Sequence, residues 1–134
     1  MKDSKKQSER WLRQAEYDLK EAKRSLGAKS YAYAAFFAEQ SAQKSLKAFL
    51  IYSGQRYVNV HSVGELARLS AEKDKRFSSL IESGKILDRH YLATRYPDAL
   101  PEPAIPAESY ILEDAEEAVK IAENILAASK EVMK

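Results

Sequence analysis

The segment Leu87-Asp-Arg-His-Tyr-Leu-Ala-Thr-Arg-Tyr-Pro-Asp98 gathers side chains suited to holding an anion. Arg95 carries a guanidinium that grips phosphate through two parallel hydrogen bonds and keeps its proton. Tyr91 and Tyr96 offer flat faces on which a base can stack. Asp98 adds an acceptor beside them. The competing role for Arg95 is an ion pair with Asp98 or Asp88 that ties down a loop. For the tyrosines it is sealing the end of a helical bundle with the hydroxyl outward. Lys44 and Lys47, on an earlier helix, add positive charge if that helix runs alongside. With His61 they complete the candidate ligand-binding set of Arg95, Tyr96, Asp98, Tyr91, Lys44, Lys47 and His61.

Other chemistries lack their residues. His61 and His90 lie far apart, with no paired histidine and carboxylate at metal-ligand spacing. Neither a Gly-rich phosphate loop nor a nucleophile–histidine–acid arrangement is legible. Ser62 beside His61 reads as a helix cap. The chain has no Cys, hence no disulfide and no thiol-bound metal. No cofactor is expected.

The elements that position these residues read as helices throughout. Pro97 fixes its own φ and pushes Tyr96 out of the α region, so the helix carrying Arg95 should end near Arg95 or Tyr96. That helix is expected from about Lys75 to Thr94, with Gly84 inside it marking a kink or a close contact. Before it, Ser62 with Glu65 three residues on opens a short helix to about Ser70.

The first helix, about Ser4 to Leu26, has one apolar stripe: Leu12, Ala15, Leu19, Ala22 and Leu26. Gly27 is its expected stop. The second, about Ser30 to Tyr52, is apolar on more than one side and should lie in the middle of the assembly. Ser30 is its N-cap candidate and Gly54 its stop. The last, from about Ser109–Glu113 to Met133, has a buried stripe through Ala115, Ala122 and Ser129 and acidic residues in its first turns. All four prolines fall within residues 97–106, which should form a loop. The expectation is an all-α fold: an up-and-down bundle of four long helices plus one short helix, as a single domain over residues 1–134.

Charge is uneven: residues 1–29 hold nine basic and five acidic side chains, and residues 102–134 hold three and eight. Such asymmetry steers an anionic partner to one end, although a net charge of +2 is low for a generic nucleic-acid binder. No apolar run suits a membrane helix and no signal peptide is legible, so a cytoplasmic protein is expected.

Four blocks in order resemble the HEPN family of small helical domains. They are Trp11 to Leu19, Phe37 to Ala48, His61-Ser62, and Tyr91 through Arg95-Tyr96-Pro97-Asp98, with a weaker fifth at Glu113-Asp-Ala115. The resemblance implies a helical bundle that is commonly a homodimer. It also implies pairing with a minimal nucleotidyltransferase in toxin–antitoxin-like modules. Many such domains are metal-independent ribonucleases whose motif is an Arg followed after four to six residues by a His. Here Tyr96, Pro97, Asp98, Ala99, Leu100, Pro101 and Glu102 follow Arg95, and no His is among them. Gln43 stands where the helix 2 block usually carries an acidic residue. Without a general base the balance is against catalysis, because an Arg stabilises phosphate charge but cannot take a proton. The expected function is therefore a nucleotide- or RNA-phosphate-binding module. The alternatives are a ribonuclease with a non-standard base, such as His61, and a purely structural subunit.

Overall fold

The computed structural model describes residues 3–134. Seven α-helices form an all-α bundle, with no strand among the described residues. They are α1 (Ser4–Gly27), α2 (Tyr31–Tyr52), α3 (Val63–Lys73), α4 (Ile81–Asp88), α5 (His90–Ala93), α6 (Pro106–Ser109) and α7 (Leu112–Val132). No helix is long and apolar enough to cross a membrane among the described residues.

The apolar surround of α2 puts it at the centre. Of its residues, 15 are buried, and it packs against α1 on one side and α7 on another. Alanines allow the close approach: Ala15 and Ala22 of α1 and Ala38 and Ala42 of α2 have no exposed surface. The Ser41 hydroxyl donates to the Ala15 carbonyl at 2.7 Å across this seam. The stripe of α7 is buried as its periodicity requires, through Ala115, Ala118, Ala122, Ile125 and Ser129.

The helix expected over Lys75–Thr94 follows one path in three pieces. A 3-10 segment, Lys75–Leu80, leads into α4, and a break at Arg89 separates α4 from α5. Asp74 caps the 3-10 segment by accepting from the Arg76 amide at 2.9 Å. At the break, the Arg89 amide bonds to Ile86 three residues back, which tightens the turn. The stop before Pro97 falls a residue or two earlier than Arg95: α5 ends at Ala93, and Tyr96 is extended (φ −122°, ψ 124°), as a residue preceding proline should be. Gly27 is not the left-handed stop of α1; it is the last helical residue, and Lys29 takes the positive φ of 63°. Gly54, with φ 111°, does end α2. Ser30 stands at the N-cap of α2 without a capping hydrogen bond from its side chain.

Ser62 caps α3 through the Glu65 amide (3.1 Å), but Glu65 does not return the bond and pairs with Arg68 instead. Asp88 takes the remaining donors. Its carboxylate accepts from the Ser62 hydroxyl (2.7 Å), the Val63 amide (2.6 Å) and the Gly64 amide (3.1 Å). Negative charge at a helix N-terminus is stabilising there. The approach requires two glycines. A Cβ on Gly84 would lie 3.2 Å from Gly64 Cα and from the Val63 carbonyl carbon, and one on Gly64 would lie 2.8 Å from Lys85 Cγ. Gly84→Ala should therefore force α4 away from α3 and lower stability by about 1–3 kcal/mol, as overpacking does. Urea denaturation of the two proteins checks this, and an unchanged midpoint would disprove the close contact.

Candidate functional site

The end of α5, the middle of α2 and the loop before α3 meet at one cluster. Arg95 is half-buried there. Its Nε donates to the Tyr91 carbonyl at 3.0 Å. Its guanidinium carbon lies 4.8 Å from the Tyr91 ring centroid, 5.1 Å from that of Tyr96 and 5.2 Å from that of Phe36. Three aromatic rings thus hold the cation in place. Arg95 makes no ion pair among the described residues. Asp88 is committed to α3, and Asp98 is exposed in the Pro97–Ala99 turn with no side-chain hydrogen bond among the described residues. The loop-tying ion pair weighed from the sequence is not what holds Arg95.

His61 stacks on Tyr91, with ring planes 8° apart and centroids 6.4 Å apart. Its Nδ1 lies 3.1 Å from the Lys47 ammonium and 3.3 Å from the Gln43 carbonyl oxygen. An ammonium only donates, so the Lys47 contact requires a bare Nδ1 and a proton on Nε2. The Gln43 contact requires a proton on Nδ1. One ring nitrogen therefore faces partners that suit opposite protonation patterns.

Below this pair lies Glu39, fully buried. It accepts from the Gln40 amide at 2.7 Å and the Gln43 amide at 2.9 Å. Burial pushes its carboxyl above the ordinary value, against those two hydrogen bonds and the nearby Arg95. Lys47, 4% exposed, is held below the ordinary lysine range by burial, with Glu39 opposing the shift.

The structure thus brings Arg95, Tyr91, Tyr96, Lys47 and His61 together. Lys44 points elsewhere: its ammonium lies 2.6 Å from Asp18 on α1. His90 is also engaged, with Nδ1 2.8 Å from the Tyr110 hydroxyl, and burial lowers its pKa. Among the described residues no group of three or more His, Asp or Glu side chains could hold a metal ion. Sequence reasoning passed over Phe36, Glu39 and Trp11. A lone Glu within the apolar surround of α2 was the signal for Glu39; nothing local marked the other two.

A hollow of about 750 Å³ opens beside Lys47 and His61, between the start of α1, the end of α2 and the 54–61 loop. Arg95 borders a second, apolar hollow of about 510 Å³ with Phe36, Phe37 and Ile105.

These features define a class: an all-helical bundle with a cationic, aromatic cluster set against its central helix. A family model described as the HEPN domain matches residues 8–132, and the chain belongs to that family. It is 34% identical to a protein of Methanocaldococcus jannaschii named "Putative toxin MJ1304", covering 92% of this chain and 86% of that one. The crystal structure of TT1696 from Thermus thermophilus matches with a TM-score of 0.86 and 39% identity, over 92% of this chain and 96% of that chain. ST0689, described as an archaeal HEPN homologue, matches with a TM-score of 0.78 and 32% identity over 100% of both chains.

The raised carboxyl of Glu39 has a pH consequence. The folded chain holds that proton more tightly than the unfolded chain. Stability from this group is therefore present below its ordinary value of 4.5 and is lost as pH rises through the higher folded value. Glu39→Gln should remove that loss, so the variant gains on the parent as pH rises from about 4.5. Denaturation midpoints of both proteins between acid and neutral pH test this; parallel curves would disprove it.

Proposed function

We propose that this chain is a nucleotide- or RNA-phosphate-binding HEPN module, a single domain over residues 1–134, with Arg95 as the anchor of its site. One observation carries the reading. Arg95 is fixed by its Nε bond and three aromatic rings, and it makes no ion pair with a carboxylate of the described residues, the buried Glu39 acting on it only from a distance. A pre-positioned guanidinium without an ion-pair partner is an anion receptor. His61 extends the polar surface with the buried Lys47 behind it, and Tyr91 and Tyr96 supply stacking faces. Asp98 stands exposed in the turn after Tyr96, and Lys44 does not contribute to the cluster.

The relative named "Putative toxin MJ1304" favours a role on the toxin side of a toxin–antitoxin-like pair, for which the cytoplasm is the expected place. A minimal nucleotidyltransferase is the expected partner from the family resemblance. A homodimer fits the outward apolar surface of the N-terminal half of α2, where Tyr33 is exposed and Phe36 and Phe37 are half-buried.

A second reading, a metal-independent ribonuclease, is favoured by His61 lying one ring away from Arg95. Histidine can take and return a proton near neutral pH, so His61 would receive the 2′-hydroxyl proton and return it to the departing 5′-oxygen, leaving a 2′,3′-cyclic phosphate, while Arg95 stabilises the phosphorane. Chelator-resistant RNA cleavage that is lost in His61→Ala would establish it. An absence of cleavage by the wild type would dismiss it.

Calorimetric titration with ribonucleotides and a short single-stranded RNA tests the main reading. Arg95→Ala should weaken binding about 10- to 100-fold, the worth of a charge-assisted pair, and Arg95→Lys should not restore it. Unchanged affinity in Arg95→Ala would overturn the assignment. Light scattering on the same samples should give twice the monomer mass; a monomer at every concentration would remove the dimer.

A further inference from the structure

We propose that the 750 Å³ hollow beside Trp11 is the base-binding half of the site, taking one unpaired nucleobase whose phosphate lies at the exposed His61, on the side of the hollow that leads through Tyr91 to Arg95. This deepens the phosphate-binding reading and rests on it. The volume falls in the usual range for small-molecule sites, about 300–1,000 Å³. The contents of the walls point to a base. Trp11 supplies an indole surface, and aromatic faces stack bases of any identity. The Lys47 ammonium sits 5.6 Å from the centroid of that ring, so a flat aromatic surface and a cation meet at one place. A nucleotide presents the complement: a flat base joined through a short sugar to an anion.

The rim supplies groups that read a base edge. The amides of Gln55 and Asn59 each offer a donor and an acceptor, and neither has a side-chain hydrogen bond among the described residues. Arg56 stands exposed at the mouth without an ion pair among the described residues. From Lys47 the path continues through His61 and Tyr91 to Arg95. The hollow and the arginine cluster therefore lie at two ends of one continuous line of contacts. A base inside such a hollow cannot be paired, which selects free nucleotides and single-stranded RNA over duplex.

Trp11 is the only tryptophan, so its fluorescence reports on the hollow directly. Wild-type protein would be titrated with AMP, UMP, a short single-stranded RNA and ribose 5-phosphate, with calorimetry alongside. The expected result is saturable quenching by the base-bearing ligands at the calorimetric midpoint. Ribose 5-phosphate should bind at least about tenfold more weakly and leave the emission unchanged. Trp11→Leu should lose that preference for a base, and Asn59→Ala, on the exposed loop, should weaken base-bearing ligands selectively without touching the core.

Equal affinity for ribose 5-phosphate and AMP with unmoved emission, but binding lost in Arg95→Ala, would overturn the hollow and leave the arginine site standing. Quenching by nucleotides that is indifferent to Arg95→Ala would support the hollow as a base site and overturn the arginine anchor. Absence of any binding would overturn both.

Discussion

The contact on which the site depends is the carboxylate of Asp88 on the N-terminus of α3. It joins two stretches of chain separated by about 25 residues at the point where each is about to deliver a site residue. His61 lies immediately before the capped Ser62, and Tyr91 lies three residues after Asp88. Fixing Asp88 to Ser62, Val63 and Gly64 therefore fixes the imidazole against the phenol ring, and Arg95 follows one helical turn later. Glycine at positions 64 and 84 is the steric condition for this contact, because the helices meet there at backbone distance.

Beneath the cluster, α2 carries an unusual load for a central helix. A buried Glu39 and a nearly buried Lys47 share it with Gln43 between them. Burying polar groups costs stability unless they are hydrogen-bonded. Both Glu39 oxygens accept an amide, and Lys47 reaches His61. The Gln43 amide joins the carboxyl below to the imidazole above. An acidic residue at position 43 would set a second carboxyl beside Glu39, and glutamine avoids that repulsion.

Much of this was legible locally. Pro97 dictated the extended backbone at Tyr96, and the apolar surround of α2 announced its central place. The candidates Arg95, Tyr91, Tyr96, Lys47 and His61 do meet, although their spacing along the chain could not show it. What was not legible depends on contacts between distant segments. Lys44 and Lys47 lie three apart on one helix, yet one faces Asp18 and the other His61. The break at Arg89 carries no glycine or proline. Trp11 reads as the flank of an amphipathic helix until the 54–61 loop closes a hollow over it.

In a helical protein the free amides at the start of a helix are the readiest receptor for a phosphate. At α3 that receptor is already filled from within by Asp88. On the proposed reading, an anion at this cluster would be met by side-chain cations rather than by backbone dipoles. Arg95 and Arg56 stand at or near solvent, where mobile counterions compete with them. Any affinity this surface has for a polyanion is thus open to adjustment by ionic strength, while the helices that carry it are packed on a buried apolar core.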